Sequence, residues 1–515
     1  MSKKSERLFE AMNDIGGKAI DEAAASMEGR KKPFRWKRWA ALAAMIALAV
    51  SIGIRILPNF GGGAGGVGSS GASTFMSYAG PLMPLTLREE NGSITAERDI
   101  TLDFATWEPD RQSEEDRYTY IEGILVTDEY ALKNTSNQDQ TVSVLYPFAA
   151  NLYGLAAHQP VLTLDGRTAE TTLYAGSYSG GFNGAWGSRR EGLPELNLAQ
   201  AESWEAYQAV LSDGRYQAAA LEDFPDFSGI PVTVYEFTDP WGPEQERERD
   251  FHPSIRAEFI LEMGKSTVLS TGFHGMTWDH ETWEMTQSFT IPQPGERAAQ
   301  SFRLVVLGED IQNFEVHAYD TGGPDGGSVI ENAGVTVRRT ESDLETVLRE
   351  IAEEDYGWEW RDWLDEVDFD LYFGLMKDEL AAYYQILDDD PTVRYADGFI
   401  SESDLNFCHV DRVFYLETEV TVPAGQSVTL RAEMMRDASF DYACANTKNQ
   451  GIYGYDLMTR LGSSLTCTRQ SATLEDRGVI EIVRDNFGFD LKKGVKTVEL
   501  SLEEEHYYLE VRRKE

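Results

Sequence analysis

Basic side chains are scarce in this chain. Its 515 residues include 46 Lys and Arg against 87 Asp and Glu, which gives a formal net charge of −41. A surface of that sign repels DNA, RNA and other anionic polymers, so no nucleic-acid partner is expected. Divalent cations or cationic ligands suit it better than anionic polymers, but an acidic surface without a specific partner is favoured over both.

Common catalytic motifs are also absent from the sequence. It contains no nucleophile elbow G-x-S-x-G, no S-x-x-K, no Walker loop and no H-E-x-x-H. A carboxylate pair for glycoside hydrolysis could be drawn from many of the 87 acidic residues, so the sequence nominates no such pair. We therefore assign no catalytic residue and no cofactor, and a non-catalytic protein is favoured over an enzyme.

Cysteine is rare as well. Cys408, Cys444 and Cys467 are the three cysteines, so at most one intramolecular disulfide forms and at least one thiol is left over. An extracytoplasmic location permits the disulfide, and three buried thiols are the alternative. The pairing stays open.

One apolar run lies near the start of the chain. Residues 39–54 carry no charged side chain, and Arg55 can reach the membrane surface while Ile56 and Leu57 remain in lipid. Residues 39–57 thus predict a transmembrane helix that crosses about 30 Å of hydrocarbon. A cleaved signal peptide is the alternative, but the 38 residues before the run are more than such a peptide usually has.

The flanking charges predict the orientation of this helix. Six basic residues precede it and only Arg55 interrupts its far end; the six are Arg30, Lys31, Lys32, Arg35, Lys37 and Arg38. By the positive-inside rule the N-terminus is cytoplasmic and the acidic bulk is extracellular. We expect a single-pass protein of the cell membrane that contacts the bilayer through residues 39–57.

The cytoplasmic tail, residues 1–38, carries a narrow apolar stripe. Leu8, Met12 and Ile15 begin a run of apolar residues at helical spacing. A short helix of this kind cannot bury its stripe alone, so these three residues are the predicted contact with a cytoplasmic regulatory protein. A helix lying on the membrane surface is the alternative.

The start of the chain resembles a known class of bacterial membrane proteins. The segments "MSKKSERLFEAMNDIGGKAIDEAA" and "KKPFRWKRWAALAAMIALAV" resemble those of Firmicutes single-pass proteins that accompany extracytoplasmic-function sigma factors, including anti-sigma-factor-like regulators. The resemblance covers about the first 57 residues and implies a bacterial envelope protein. It departs from the zinc-binding anti-sigma type, because residues 1–57 contain neither His nor Cys.

Beyond the membrane segment, the chain divides by composition and pattern. Residues 58–80 are rich in Gly and Ser and predict a flexible linker. The remaining divisions are a first β module, a helical insert, a second β module, a helical connector and a third β module, at 81–198, 199–224, 225–340, 341–391 and 392–515.

Alternation of apolar and polar residues marks the β-strands. Three stripes show it: Val142, Val144, Tyr146 and Phe148; Phe302, Leu304 and Val306; and Phe414, Leu416, Thr418, Val420 and Val422. After a turn at 423–425, Val428, Leu430, Ala432 and Met434 form the return strand of a predicted hairpin. The pattern predicts a mainly β fold of antiparallel, β-sandwich-like modules with helical connectors, preceded by one transmembrane helix.

Helical spacing appears in two places in this region. Residues 203–211 predict one helix, and residues 342–387 predict a pair in which Leu371, Leu375, Leu380 and Tyr384 are buried. Ser342 and Glu345 have the spacing of a capping box at the start of that pair.

Metal ligands are hard to assign from spacing alone. His274, Asp279, His280 and Glu281 cluster in "GFHGMTWDHETWEM", but they match no common zinc signature, and a surface hairpin is favoured. Asp388, Asp389, Asp390 and Asp397 offer oxygen ligands for Ca²⁺ without EF-hand spacing, so a solvated turn is favoured. The Gly- and aromatic-rich segment from Tyr174 suits an adaptable binding loop or a long hairpin turn equally.

Three functions remain open. The first is a membrane-anchored binding or sensing protein of a bacterial envelope with an unknown extracellular ligand, signalling through its tail. The second is an adhesive or scaffolding surface protein whose tail only anchors it. The third is an extracellular glycan-processing enzyme, which requires two carboxyl groups about 5 to 10 Å apart in an aromatic-lined cleft.

Overall fold

β-strands dominate the part of the chain that the structure describes, which confirms the predicted mainly β class with several antiparallel sheets. The computed structural model describes residues 80–107, 123–179, 181–182, 200–201, 204–243, 252–262, 264–279, 281–292, 302–321, 326–357, 367–388, 397–400, 406–409, 411–441, 449–460 and 462–514. All of them belong to one unit, Ser73–Trp186 with Gln200–Glu515.

The strands follow one another closely along the chain. The first nine are β1 (Thr86–Leu87), β2 (Ile94–Asp103), β3 (Ile124–Asn134), β4 (Gln140–Ala150), β5 (Val161–Leu164), β6 (Arg167–Thr168), β7 (Thr172–Tyr178), β8 (Gly181–Phe182) and β9 (Gln200–Ala201). The next eight are β10 (Pro231–Trp241), β11 (Ser254–Ile260), β12 (Ser266–Thr271), β13 (Gly275–Trp278), β14 (Glu284–Thr290), β15 (Phe302–Gly308), β16 (Gln312–Tyr319) and β17 (Gly334–Asp343). The last nine are β18 (Asp397–Phe399), β19 (Arg412–Val422), β20 (Ser427–Arg436), β21 (Phe440–Asp441), β22 (Ile452–Met458), β23 (Thr466–Glu475), β24 (Ile480–Asp485), β25 (Thr497–Glu499) and β26 (His506–Arg513).

Helices are few and short in the described residues. They are α1 (Leu155–His158), α2 (Trp204–Ser212), α3 (Arg215–Ala220), α4 (Leu344–Tyr356) and α5 (Phe369–Tyr383), with 3-10 turns at Ala105–Trp107 and Asn406–Cys408. The predicted helix at 203–211 and the predicted pair within 342–387 are confirmed. The first helix of that pair is capped by Asp343, whose side chain accepts a hydrogen bond from the Thr346 amide, and not by Ser342.

Two sheets enclose the largest core. Sheet I has the strand order β1-β4-β19-β7, and sheet II has the order β25-β23-β2-β3-β20-β5-β6. The predicted stripes of β4, β19 and β20 supply this core, because alternate residues on a strand point to one face. The opposite face of sheet I is covered in part by α2 and α3, which bury Leu145, Val413 and Tyr415.

The predicted hairpin between β19 and β20 is wrong. β19 pairs with β4 and β7 in sheet I, whereas β20 pairs with β3 and β5 in sheet II. The turn at 423–425 therefore carries the chain between facing sheets. Alternation reports which side of a strand is buried, and it is the same for a hairpin and for an arch between two sheets.

A second pair of sheets is built from the middle of the chain. Sheet III has the order β17-β10-β15-β12-β18, and sheet IV has the order β13-β14-β11-β16. Sheet III lies between two cores: Tyr235 and Phe237 face sheet IV, while Val232 and Val234 face the largest core. Burial on both faces explains why β12 and β15 are almost wholly buried.

Strands from distant parts of the chain share sheets. β2 lies parallel to β23 and antiparallel to β3, and β4 lies beside β19. Sheet V, with the order β21-β22-β26-β24, adds Leu457, Leu509 and Val511 to the same core, while Phe440, Ile452 and Met458 pack in the cluster beside α2 and α3. Residues 81–198 and 392–515 thus build sheets I and II together.

No helix among the described residues is long and apolar enough to cross a bilayer. The predicted transmembrane segment, residues 39–57, lies outside these residues, as do the cytoplasmic tail and nearly all of the Gly/Ser-rich linker.

Candidate binding groove at an open strand edge

A surface groove of about 1090 Å³ lies where the chain passes between sheets I and II. Its walls are the β5–β6 turn, the segment leading into β7, and the middle of β19. The lining residues are Arg88, Ser143, Leu164, Asp165, Arg167, Thr168, Ala169, Glu170, Thr171, Thr172, Glu417, Thr418 and Glu419. Most carry charges or hydroxyl groups, so the groove is polar.

The groove exists because one segment changes sheets. Thr168 pairs with Thr163 in sheet II, and the Ala169 amide still donates to the Leu162 carbonyl at 2.9 Å. Three residues later Thr172 pairs with Glu417 in sheet I. Residues 170–171 span the gap between the sheets, and the space beside them is the groove.

This change of sheet leaves part of β19 without a neighbour on one side. β4 pairs with β19 along its whole length, from Arg412 to Val422. β7 pairs only with residues 412–417, so no described strand covers Thr418–Val422 on that side. An uncovered strand edge presents main-chain donors and acceptors that can bind another extended segment.

The strand register shows which main-chain groups face the open side. The Arg88 amide donates to the Ser143 carbonyl, so odd-numbered residues of β4 point their main-chain groups toward β1 and even-numbered residues point theirs toward β19. Val142 pairs with Val420, which directs the main-chain groups of Val420 toward β4. By the same alternation, the N–H and C=O groups of Glu419 and Thr421 face the open side.

An ion pair stiffens the floor of the groove. Arg88 Nη1 lies 2.8 Å and 2.7 Å from the two carboxylate oxygens of Glu417, and 3.4 Å from the Tyr174 hydroxyl. Hydrogen bonds to Glu417 and Tyr174 raise the pKa of Arg88. Burial raises the pKa of Glu417, but the hydrogen bonds from Arg88 and Tyr174 outweigh it and hold that pKa below its ordinary value.

The remaining charges give the groove an acidic character. Glu170 and Glu419 are exposed, and neither forms an ion pair with any residue in the described part of the chain. Asp165 accepts a hydrogen bond from the Thr429 amide at 2.9 Å. With four carboxylates and two guanidinium groups in its lining, the groove carries a net charge of −2.

A separate polar cluster lies on sheet IV. One ligand atom from each of Glu258, Glu315 and His317 falls within 4.8 Å of the other two. Register explains the proximity, because Glu258 pairs with Glu315 and Arg256 pairs with His317 across β11 and β16. Two carboxylates and an imidazole are donors suited to Zn²⁺ or Mn²⁺.

The same face of sheet IV also carries a buried cation. Arg256 is 3% exposed and its guanidinium lies 3.7 Å from the ring centroid of Tyr319. The Tyr319 hydroxyl donates to Glu258 Oε1 at 2.8 Å. Arg256 and Glu258 are two residues apart on β11 and share this face, so the surroundings of the cluster include one guanidinium as well as two carboxylates and an imidazole.

The metal ligands proposed from the sequence have other surroundings. His274 Nε2 accepts the Thr290 amide at 3.2 Å, and Asp279 accepts the amides of Glu281 and Thr282 in the β13–β14 turn. His280 lies outside the described residues, as do Asp389 and Asp390. The described residues therefore do not form a complete zinc or calcium site from either set of candidates.

The structure describes only some of the other residues singled out from the sequence. Leu8, Met12 and Ile15 lie outside the described residues. Cys408 is buried in the largest core and Cys467 lies half-buried on β23, while Cys444 is not described, so the disulfide stays a prediction. Tyr174 lies on β7, where its hydroxyl is 3.4 Å from Arg88 Nη1, and the later part of the Gly- and aromatic-rich segment that follows it lies outside the described residues.

Sequence reasoning missed the groove itself. Arg88 and Glu417 are far apart in the chain, and only the pairing of β1, β4 and β19 brings them together. One usable signal was the polar run Asp165–Thr172, which interrupts the apolar alternation on both sides.

A scan of protein-family models finds no match to the chain, and a search of curated proteins finds no significant match.

Proposed function

We propose that the chain is a membrane-anchored binding or sensing protein of a bacterial envelope. In this proposal residues 39–57 span the membrane, the β-sandwich-like region lies outside, and the tail contacts a cytoplasmic regulatory protein. The groove between sheets I and II is the binding site. The observation that carries the proposal is the groove of about 1090 Å³ beside the uncovered edge of β19.

The chemistry of the groove supports recognition of a polar ligand. Its floor is held by the Arg88–Glu417 ion pair, so its charges are positioned before a ligand arrives. Threonine hydroxyls at 168, 171, 172 and 418 add donors and acceptors along the walls. Such a lining favours a ligand with polar or cationic groups over a lipid.

The experiment places a photo-crosslinking amino acid at one groove position in intact cells. Replacing Thr171 puts the crosslinker in the groove wall, and replacing Val483 puts it on β24, away from the groove. We expect a crosslinked species from position 171 that position 483 does not give. Identical products from both positions, or none from position 171, would overturn the binding role.

Two further measurements address location and signalling. Protease added to intact cells should digest the region after residue 80 if that region is extracellular. Replacing Leu8, Met12 and Ile15 with Asp should remove a co-purifying cytoplasmic partner, because charge destroys the apolar stripe. Unchanged co-purification would leave the tail as an anchor only.

A further inference from the structure

The uncovered edge of β19 lies within the groove and presents main-chain hydrogen-bonding groups at a regular spacing. Its five residues, Thr418–Val422, follow directly after the last β7 pair, Glu417 with Thr172. The main-chain groups of Glu419 and Thr421 face outward from this edge. Together they offer two N–H donors and two C=O acceptors in the arrangement of an antiparallel ladder.

We propose that the groove accepts an extended segment of a partner protein as an added strand of sheet I. The segment runs antiparallel to β19 and continues the line of β7 past the point where β7 leaves the sheet. This inference rests on the proposed function, because it takes the groove as the binding site and names the class of its ligand. Addition of a strand to an open edge is an established mode of peptide recognition.

Side chains on the two faces of sheet I predict the sequence pattern of that segment. On the outer face, Glu417 and Glu419 alternate with Thr418 and Val420, whose side chains are buried. A residue paired with Glu419 shares its outer face and lies close to it. Lys or Arg at that position complements Glu419 and Glu170, which have no ion-pair partner among the described residues.

The neighbouring positions of the added strand face inward. They pass close to Val420 and to Leu164, which packs against the largest core. Apolar or β-branched side chains suit these positions, since they add to a buried face. The predicted ligand is therefore an extended peptide in which basic residues alternate with apolar ones.

Overall charge favours this ligand over other extended polymers. The groove lining is net negative, and so is the whole chain at −41. Nucleic acids and anionic polysaccharides are repelled by both. A neutral glycan could bind the hydroxyl groups of the lining. It has no donors and acceptors at the regular spacing that the main-chain groups of Glu419 and Thr421 require, whereas a peptide does.

The probe for the test is a labelled peptide, acetyl-Val-Lys-Val-Lys-Val-Lys-Val-amide, with a control in which Glu replaces every Lys. Binding to the full chain, purified in detergent, is measured by fluorescence anisotropy at low salt. We expect the Lys peptide to bind at least about tenfold more tightly than the Glu peptide. Glu419→Gln should reduce that preference while leaving the main-chain bonds in place.

A matched pair of variants at one residue separates main-chain pairing from side-chain contact. Thr421→Pro removes an N–H that faces the open side, so the ladder to β4 keeps its bonds. Thr421→Ala removes the side chain and keeps the N–H. Affinity for the Lys peptide should fall about tenfold in Thr421→Pro and stay within about twofold in Thr421→Ala.

Hydrogen exchange on the unmodified chain gives an independent readout. The amides of Glu419 and Thr421 should exchange fast in the free chain and slow down when the Lys peptide is bound. Slow exchange before the peptide is added, binding without protection of these amides, or no binding of the Lys peptide would each overturn strand addition. If strand addition fails while position 171 still gives its own crosslinked species, the groove remains a binding site that works by another mode.

Discussion

At the scale of single residues, the most demanding feature is a fully buried ion pair. Arg98 and Asp128 are 0% exposed, and Arg98 Nε and Nη2 donate to the two carboxylate oxygens at 2.8 Å and 2.7 Å. The hydroxyls of Tyr130 and Tyr146 donate to Asp128 Oδ2, and Arg98 Nη1 donates to the Met458 carbonyl. Burial raises the pKa of both tyrosines, so they remain protonated donors.

This network predicts a large effect for one substitution. Asp128→Asn keeps the volume of the side chain but leaves the Arg98 charge buried without its partner. Removal of one member of a buried pair costs about 3 to 5 kcal/mol, and we expect that loss in the free energy of unfolding measured by urea titration. Glu97→Gln is the control, because Glu97 pairs with Arg469 at the surface and such pairs contribute less than about 1 kcal/mol. Equal losses in the two variants would contradict this account.

His158 predicts a pH dependence of stability. Its Nε2 lies 3.1 Å from Asp437 Oδ2, and its Nδ1 lies 2.8 Å from the Gly154 carbonyl. Burial lowers the pKa of His158, but Asp437 and the Gly154 carbonyl outweigh that effect and raise it above its ordinary value of 6.5. A raised pKa in the folded state means that the charged imidazole stabilises the fold at acidic pH.

The contribution of His158 to the free energy of unfolding decreases as the pH rises. The stabilisation by His158 is complete below pH 6.5 and is lost as the pH rises through the raised folded-state pKa. Urea titrations at a series of pH values from about 5.5 to 9 should show unfolding free energy falling more steeply in the wild-type chain than in His158→Gln. Parallel curves for the two proteins would mean that His158 does not titrate in this way.

At the scale of elements, alternation predicted strands well and pairing poorly. The buried positions of β4, β19 and β20 are those expected from the sequence, because burial of one face is a local property. Their partners are set by packing between distant segments, which periodicity does not report. The same limit explains the missed groove, which depends on where β7 stops pairing with β19.

β14 and β15 lie in different sheets, as β19 and β20 do. "FTIPQPGERAAQSFRLVVLG" and "VTVPAGQSVTLRAEMMR" each contain strand, Pro-Gly segment and strand. In both cases the first strand and the second lie in different sheets, IV and III in one case and I and II in the other. In the described link Pro423 has no N–H to donate to a ladder, and Gly425 adopts a positive φ of 65°.

The start of α4 gives a test at the scale of one helix. Asp343 Oδ1 accepts the Thr346 amide at 3.4 Å, and its Oδ2 accepts the Gly229 amide. Asp343→Ala should lower the free energy of unfolding by about 1 kcal/mol, the usual effect of losing an N-cap. Ser342→Ala is the matched control one residue earlier and should have a smaller effect in the same thermal or urea titration. A larger loss in Ser342→Ala than in Asp343→Ala would mean that Ser342 is the N-cap, as the sequence spacing suggested.

At the scale of the whole molecule, the largest core is assembled from segments that are far apart in the chain. β19, β20 and β23 lie between or beside strands of residues 81–198, and all of them contribute to one core. By contrast, the described residues that form the core between sheets III and IV all lie within 235–337. Among the described residues, the core between sheets III and IV therefore takes no buried residue from 81–198 or 392–515, although sheet III also contributes Val232, Val234 and Val305 to the largest core.

Truncation tests this dependence. Removing residues 392–515 takes away β19, β20 and β23, so sheets I and II should not form and the cooperative urea transition of that core should be lost. Removing residues 1–38, which lie outside the unit that contains the described residues, should leave the transition unchanged. Far-UV circular dichroism with urea titration measures both, and a shortened chain that kept the transition midpoint and amplitude of the full chain would contradict this dependence.

The parallel pairing of β2 with β23 sets a condition on biosynthesis. Thr95 meets Thr466, so the ribosome must finish most of the chain before one side of β2 has its proper neighbour. Until then β2 exposes an edge that can pair with other nascent chains, and folding through such distant contacts is slow. β2 therefore stays open to incorrect pairing until residues 466–475 have been synthesised.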